Sequence, residues 1–156
     1  MLRWLNRAGV DHVLVGAVAR AARGDRSASG PVAIVPAPYG RNLDRLAHAL
    51  NAVHARERFS VAMLGTGGSA HVGGLKFTAA RLLRPACWML SCGAYELDIE
   101  GRSGETPSYQ ELLYEAVRIE LASGVSAEVA APEDIEYYDH LRRTGVAPEM
   151  VVSRAG

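Results

Sequence analysis

Short apolar runs alternate along the chain with amphipathic or glycine-marked stretches. His12–Val15 and residues 32–35 are brief, continuous and rich in β-branched side chains, bounded by Gly16 and Pro36; such runs read as strands covered on both faces. Between them, residues 17–23 are alanine-rich and read as a helix, while residues 24–30 carry the glycines, serines and charged pair of a loop. Ahead of the first strand, residues 1–8 place Leu2 and Leu5 on one side of a short helix that Gly9 closes. Past the second, Pro36-Ala37-Pro38 forces a break. Leu43, Leu46, Ala47 and Leu50 then recur at helical spacing over residues 41–53, with Gly40 or Asn42 in the capping role.

The second half reads as hairpins and capped helices. Residues 60–64 resemble a strand, and residues 65–74 hold five glycines and receive no assignment. Residues 87–91 and Tyr95–Ile99, joined through Gly93, have the pattern of an antiparallel hairpin. Pro107-Ser108 with Glu111 forms a capping box that starts a helix through Leu112, Leu113 and Ala116. Residues 117–121 and Val125–Val129 make a second hairpin about Ser123-Gly124, and Pro132-Glu133-Asp134 opens a last helix with proline at its first position and acids in its first turn. The fold class is therefore α/β, with residues 1–146 as a single domain and residues 147–156 as a C-terminal tail.

Composition narrows the function classes. With 156 residues, 49% hydrophobic and 22% charged, the chain can build an ordinary globular core without disulfide or structural metal. Seventeen basic residues balance seventeen acidic ones, so no long-range field gathers nucleic acid or an anionic membrane surface. Lys76 is the only lysine, which leaves any phosphate to arginine forks. Strand alternation sends Cys87 and Cys92 to opposite faces, against a local disulfide. No leader opens the chain and no apolar run reaches about 18 residues, so neither a signal peptide nor a membrane span is indicated and a cytoplasmic location is the expectation.

The order of strand, Gly16-Ala17, short helix, glycine-marked loop, second strand and a helix with Asn42-Leu43 and Arg45-Leu46 resembles the small nucleotidyltransferase-fold proteins. The likeness extends over most of residues 9–143, through Leu97-Asp98-Ile99, residues 108–113 and residues 131–135. It implies a nucleotidyltransferase-like mixed β-sheet flanked by helices. In that family the second strand carries an Asp-x-Asp pair, and a third acid completes a site for two magnesium ions that stabilise in-line transfer at phosphorus. Alternate positions of a strand point to one face, which is why the motif has that spacing. Here Pro31 and Ala33 stand where the two aspartates would, Asp98 is the residual third carboxylate, and Asp139 replaces an expected basic residue of the last helix.

A single carboxylate leaves the charge of a magnesium triphosphate poorly compensated where three acids normally share it. The expectation is a degenerate, catalytically inactive member with a binding or regulatory role, with no cofactor and no metal ligands. What the resemblance implies for nucleotide binding falls on Gly16 and Ala17 of the first turn with Arg20, Arg23 and Arg26, set against the plainer reading of a tight turn and a solvated helix face. The alternatives are an active magnesium-dependent transferase whose site is rebuilt from Asp25, Asp98 and Glu96 or Glu100, and a structural protein or homodimer using an exposed strand edge or Tyr137-Tyr138. A nucleotide or a protein is the candidate partner. The histidines at 12, 48, 54, 71 and 140 lack zinc-ligand spacing.

Overall fold

A computed structural model describes residues 1–58, 76–84, 87–100 and 106–144. The strand expected at 60–64, the glycine run at 65–74 and the tail at 147–156 lie outside the described residues. The elements run α1 (Leu2–Arg7), β1 (His12–Val15), α2 (Gly16–Ala22), β2 (Val32–Pro36), α3 (Gly40–Ala52), β3 (Arg56–Glu57), α4 (Ala79–Leu82), β4 (Trp88–Cys92), β5 (Tyr95–Ile99), α5 (Tyr109–Glu115), β6 (Val117–Ala122), β7 (Val125–Val129) and α6 (Pro132–Thr144). The α/β class is what the periodicities imply, and the mixed sheet with helices around it is what the resemblance implies.

Among the described residues, seven strands form one sheet in the order β3-β4-β5-β2-β1-β7-β6. Both hairpins are antiparallel, as are β1 with β2 and β3 with β4, whereas β1 pairs β7 and β2 pairs β5 in parallel. The two apolar runs are thus the central strands. Every residue of β1 is buried, because a strand flanked on both edges and covered on both faces has no solvent side. Register and alternation put Val13, Val15, Ala33, Val35, Glu96 and Asp98 on one face, and Leu14, Ile34, Leu97 and Ile99 on the other. A single buried cluster runs from Leu5 to Tyr138.

Local signals explain most boundaries. Gly9 closes α1 at φ 70°, in the left-handed conformation that glycine adopts without a Cβ penalty. Both bonds of the Ser108–Glu111 capping box form, from Glu111 N–H to the Ser108 hydroxyl and from Ser108 N–H to the Glu111 carboxylate. The expected cap of α3 is different. Its N-cap is Tyr39, with no side-chain bond to the helix. Asn42, buried to 3% exposure, instead accepts from the Asp11 N–H at 2.7 Å and donates to the carbonyls of Asp11 and Ala37 at 2.8 and 2.9 Å. One amide therefore ties the entry of β1 to the exit of β2, and satisfying those backbone groups outweighs satisfying the helix end. Tyr138 belongs to the core, 1% exposed, with its hydroxyl donating to the Pro107 carbonyl at 3.2 Å; it is not available as an exposed interface anchor.

Candidate functional site

Parallel pairing of β2 with β5 sets Ala33 directly opposite Asp98. Ala33 is fully buried and Pro31 partly so, and neither offers an oxygen ligand on its side chain. Asp98 lies on the same sheet face as Ala33, only 6% exposed, and Glu100 follows it just past the strand at 7%. Two buried carboxylates this close need cationic partners, since an uncompensated charge in a low-dielectric interior is costly.

Both partners are arginines from distant elements. Arg142, in the last turn of α6, donates from Nε and Nη2 to Glu100 and lies 3.4 Å from the Asp98 carboxylate. Arg58, just after β3, pairs with Asp98 through Nη2 and with Glu96 through Nη1 at 3.2 Å. Arg58 is itself fixed by the sheet, its Nε donating to the Leu90 carbonyl at 3.1 Å and its backbone N–H to the Met89 carbonyl at 2.7 Å. Three carboxylates thus face two guanidiniums.

Gly16 completes the setting. It opens α2 at φ 71°, and a Cβ added there would lie 3.0 Å from the Ala33 Cβ and 3.3 Å from Arg142 Nη1. A side chain at position 16 would be strained and would press on the guanidinium, so glycine is required by backbone conformation and by space. At Gly30 space alone is at issue: the loop lies against Ala17, and a Cβ on Gly30 would stand 3.0 Å from that of Ala17.

The electrostatics follow from these neighbours. Burial lifts the Asp98 carboxyl above its ordinary value, opposed by the positive charges of Arg142 and Arg58. Burial also disfavours the Arg142 cation, but Glu100 and Asp98 outweigh it and hold its pKa above the ordinary value. Cys87, exposed as a residue, has its thiol pushed up to about 12 by burial and by the Glu100 charge. A thiol held protonated in this way presents little thiolate at neutral pH.

The remaining candidate residues are elsewhere. Arg20 is held by Glu136 and Asp139 of α6, so the acid found where a base was expected pairs with this arginine. Arg23 donates to the Val129 and Ala130 carbonyls at 3.0 to 3.2 Å. Ala17 is half-buried, and Arg26 is exposed in the loop. Asp25 accepts from the backbone N–H and hydroxyl of Ser27 at 3.0 and 2.6 Å, and these bonds hold its carboxyl below the ordinary range. The structure thus gathers Gly16, Ala33, Asp98, Glu100 and Arg142, and leaves Arg20, Arg23 and Asp25 at the α2–α6 seam.

The described groups at Asp98 are arranged as carboxylate–guanidinium pairs. Among the described residues no three His, Cys, Asp or Glu side chains are gathered so as to hold a metal ion. Both oxygens of Asp98 and one oxygen each of Glu96 and Glu100 face arginine. Arg58 and Arg142 were not foreseen from the sequence; they stand 40 and 44 positions from Asp98, and the usable signal was two acids at the end of a buried strand in want of cations. Among the described residues no helix is long and apolar enough to cross a membrane. The chain matches no protein-family model and no curated protein.

Proposed function

We propose that this chain is a nucleotidyltransferase-fold protein that has lost its metal site, and that it works by binding or regulation and not by nucleotidyl transfer. The observation that carries the reading is Arg142. Its guanidinium lies against Asp98 and Glu100 and over Gly16, where the resembled family would bring metal and nucleotide phosphate together. A guanidinium neutralises carboxylates and donates to them in a fixed fork, but it accepts no ligand and polarises no attacking oxygen as a divalent ion does. With Pro31 and Ala33 supplying no carboxylate, an internal cation takes over the charge compensation that the transferred group's metals would otherwise provide. If a nucleotide is still bound, Gly16 and Ala17 border its phosphates and Arg26 is the exposed guanidinium free of the α2–α6 seam, with Arg20 requiring release from Glu136 and Asp139.

Calorimetric titration with Mg-ATP and Mg-GTP, run beside a labelled-nucleotide transfer assay with the protein itself and with RNA as acceptors, tests the proposal. The expected result is no metal-dependent transfer. Labelling that Asp98→Ala abolishes would establish instead an active enzyme with a rebuilt carboxylate site.

A further inference from the structure

The two ends of the sheet differ as surfaces. Among the described residues, β3 is two residues long, whereas β6 is six residues long and forms the opposite margin. An edge strand carries a row of unpaired backbone donors and acceptors, a template for another strand unless something blunts it. Along β6 the side chains of Val117, Arg118, Glu120 and Ala122 are exposed and those of Ile119 and Leu121 are half-buried. Of the large apolar side chains that are exposed, Tyr114 at 88% and Val117 at 50% both lie at the entry to this strand.

We propose that β6 pairs antiparallel with β6 of a second copy of the chain about a two-fold axis through Ile119. The register is set by charge. With Ile119 opposite its own copy, Arg118 stands directly opposite Glu120 of the second copy, and Glu120 opposite its Arg118. Directly opposed residues of an antiparallel pair share a sheet face, so both contacts are attractive. Shifting the register by two residues in the direction that sets Arg118 opposite itself, or the other way with Glu120 opposite itself, replaces them with a like-charge contact. A two-fold interface must be self-complementary, and this strand is so in one register.

Neither charge is used up within the monomer. Arg118 meets Glu128 of the neighbouring strand at 3.2 Å through Nη1 alone, with 71% of its side chain exposed. Glu120 accepts from the Gly124 N–H at 3.1 Å through one oxygen. The second copy would extend each Arg118–Glu128 pair into a chain of alternating charge across the joined sheets. The same two-fold brings the exposed Val117 towards the Leu121–Ala122 end of the strand of the second copy. An irregularity between Glu120 and Ala122 limits the regular ladder to a few residues, so the pairing is short and the association is of the weak, concentration-dependent kind.

Sedimentation velocity of the full chain up to about 1 mM tests this. A concentration-dependent dimer is expected. Arg118→Glu and Glu120→Arg, each of which sets like charges opposite one another, should weaken it by about tenfold or more, and the double exchange Arg118→Glu with Glu120→Arg should restore it. Circular dichroism confirms folding of these surface variants. A monomer at every concentration, as when another segment of the chain covers the edge, overturns the proposal. So does a dimer that the double exchange fails to restore.

Discussion

Arg142 and Arg20 are each held by a pair of carboxylates, and each ties α6 to another part of the molecule, yet their surroundings differ. The acids on Arg142, Asp98 and Glu100, have side chains only 8% and 7% exposed, whereas those on Arg20, Glu136 and Asp139, are 61% and 19% exposed. Geometry is comparable in the two places and solvent is not. In water, attraction between the partners is screened and is offset by the entropy of holding long side chains still. In the interior the attraction is strong, but so is the cost of removing each charge from water, so the pair is vital chiefly once both members are present. Arg20 decorates a seam; Arg142 neutralises a buried site.

Breaking the buried member should have the largest effect. Arg142→Ala leaves Asp98 and Glu100 short of a cation, with Arg58 alone as counter-charge, and should cost about 3 kcal/mol in chemical denaturation. Adding Asp98→Asn and Glu100→Gln should recover much of that loss, because the penalty resides in stranded charge. A triple variant as unstable as the single one would assign the loss to packing. Next in size, Gly16→Ala should cost about 1 to 2 kcal/mol from a left-handed backbone and a crowded Cβ. That cost should shrink in the Arg142→Ala background, where the guanidinium is gone.

The exposed member should matter least. Arg20→Ala should cost less than about 1 kcal/mol, and raising the salt concentration should reduce the difference further. A loss equal to that of Arg142→Ala would erase the distinction.

Titration sharpens the same contrast. Burial raises the folded Asp98 pKa, so its contribution to stability is full below the unfolded value and lost as pH rises through the folded one; the hydrogen bond from Arg20 lowers that of Glu136, whose contribution is full above its unfolded value and lost as pH falls through the folded one. Carboxyl-carbon NMR should place the Asp98 midpoint above 3.8 and that of Glu136 below 4.5. Midpoints displaced to the same side would contradict the assignment of causes.

What could be read from the sequence was local. The β4–β5 and β6–β7 hairpins and the Ser108 capping box depend on residues within a few positions of one another, and their side-chain chemistry states the outcome. Burial of β1 and β2 follows from their apolar continuity. Strand order does not, because nothing within β2 says that β5 is its parallel neighbour. The same holds for the site. The loss of carboxylates at Pro31 and Ala33 is visible in the chain, but the cation that answers Asp98 arrives from α6, with no spacing rule to connect them. Asn42 shows the converse failure: its residue type suits a helix cap, and a tertiary bond to β1 claims it instead.

The parallel pairings carry a consequence for how the polypeptide is made. β1 gains its parallel neighbour only when residues 125–129 have emerged from the ribosome, and β2 gains its own only with residues 95–99. Until its parallel neighbour has been made, each of these two apolar strands has the other as its one partner in the final sheet. Long-range pairing of this kind slows folding and prolongs exposure of sticky edges. A released product ending near residue 120 contains β5 but not β7, so β1 keeps one unpaired margin and the product should be a substrate for chaperones and proteases.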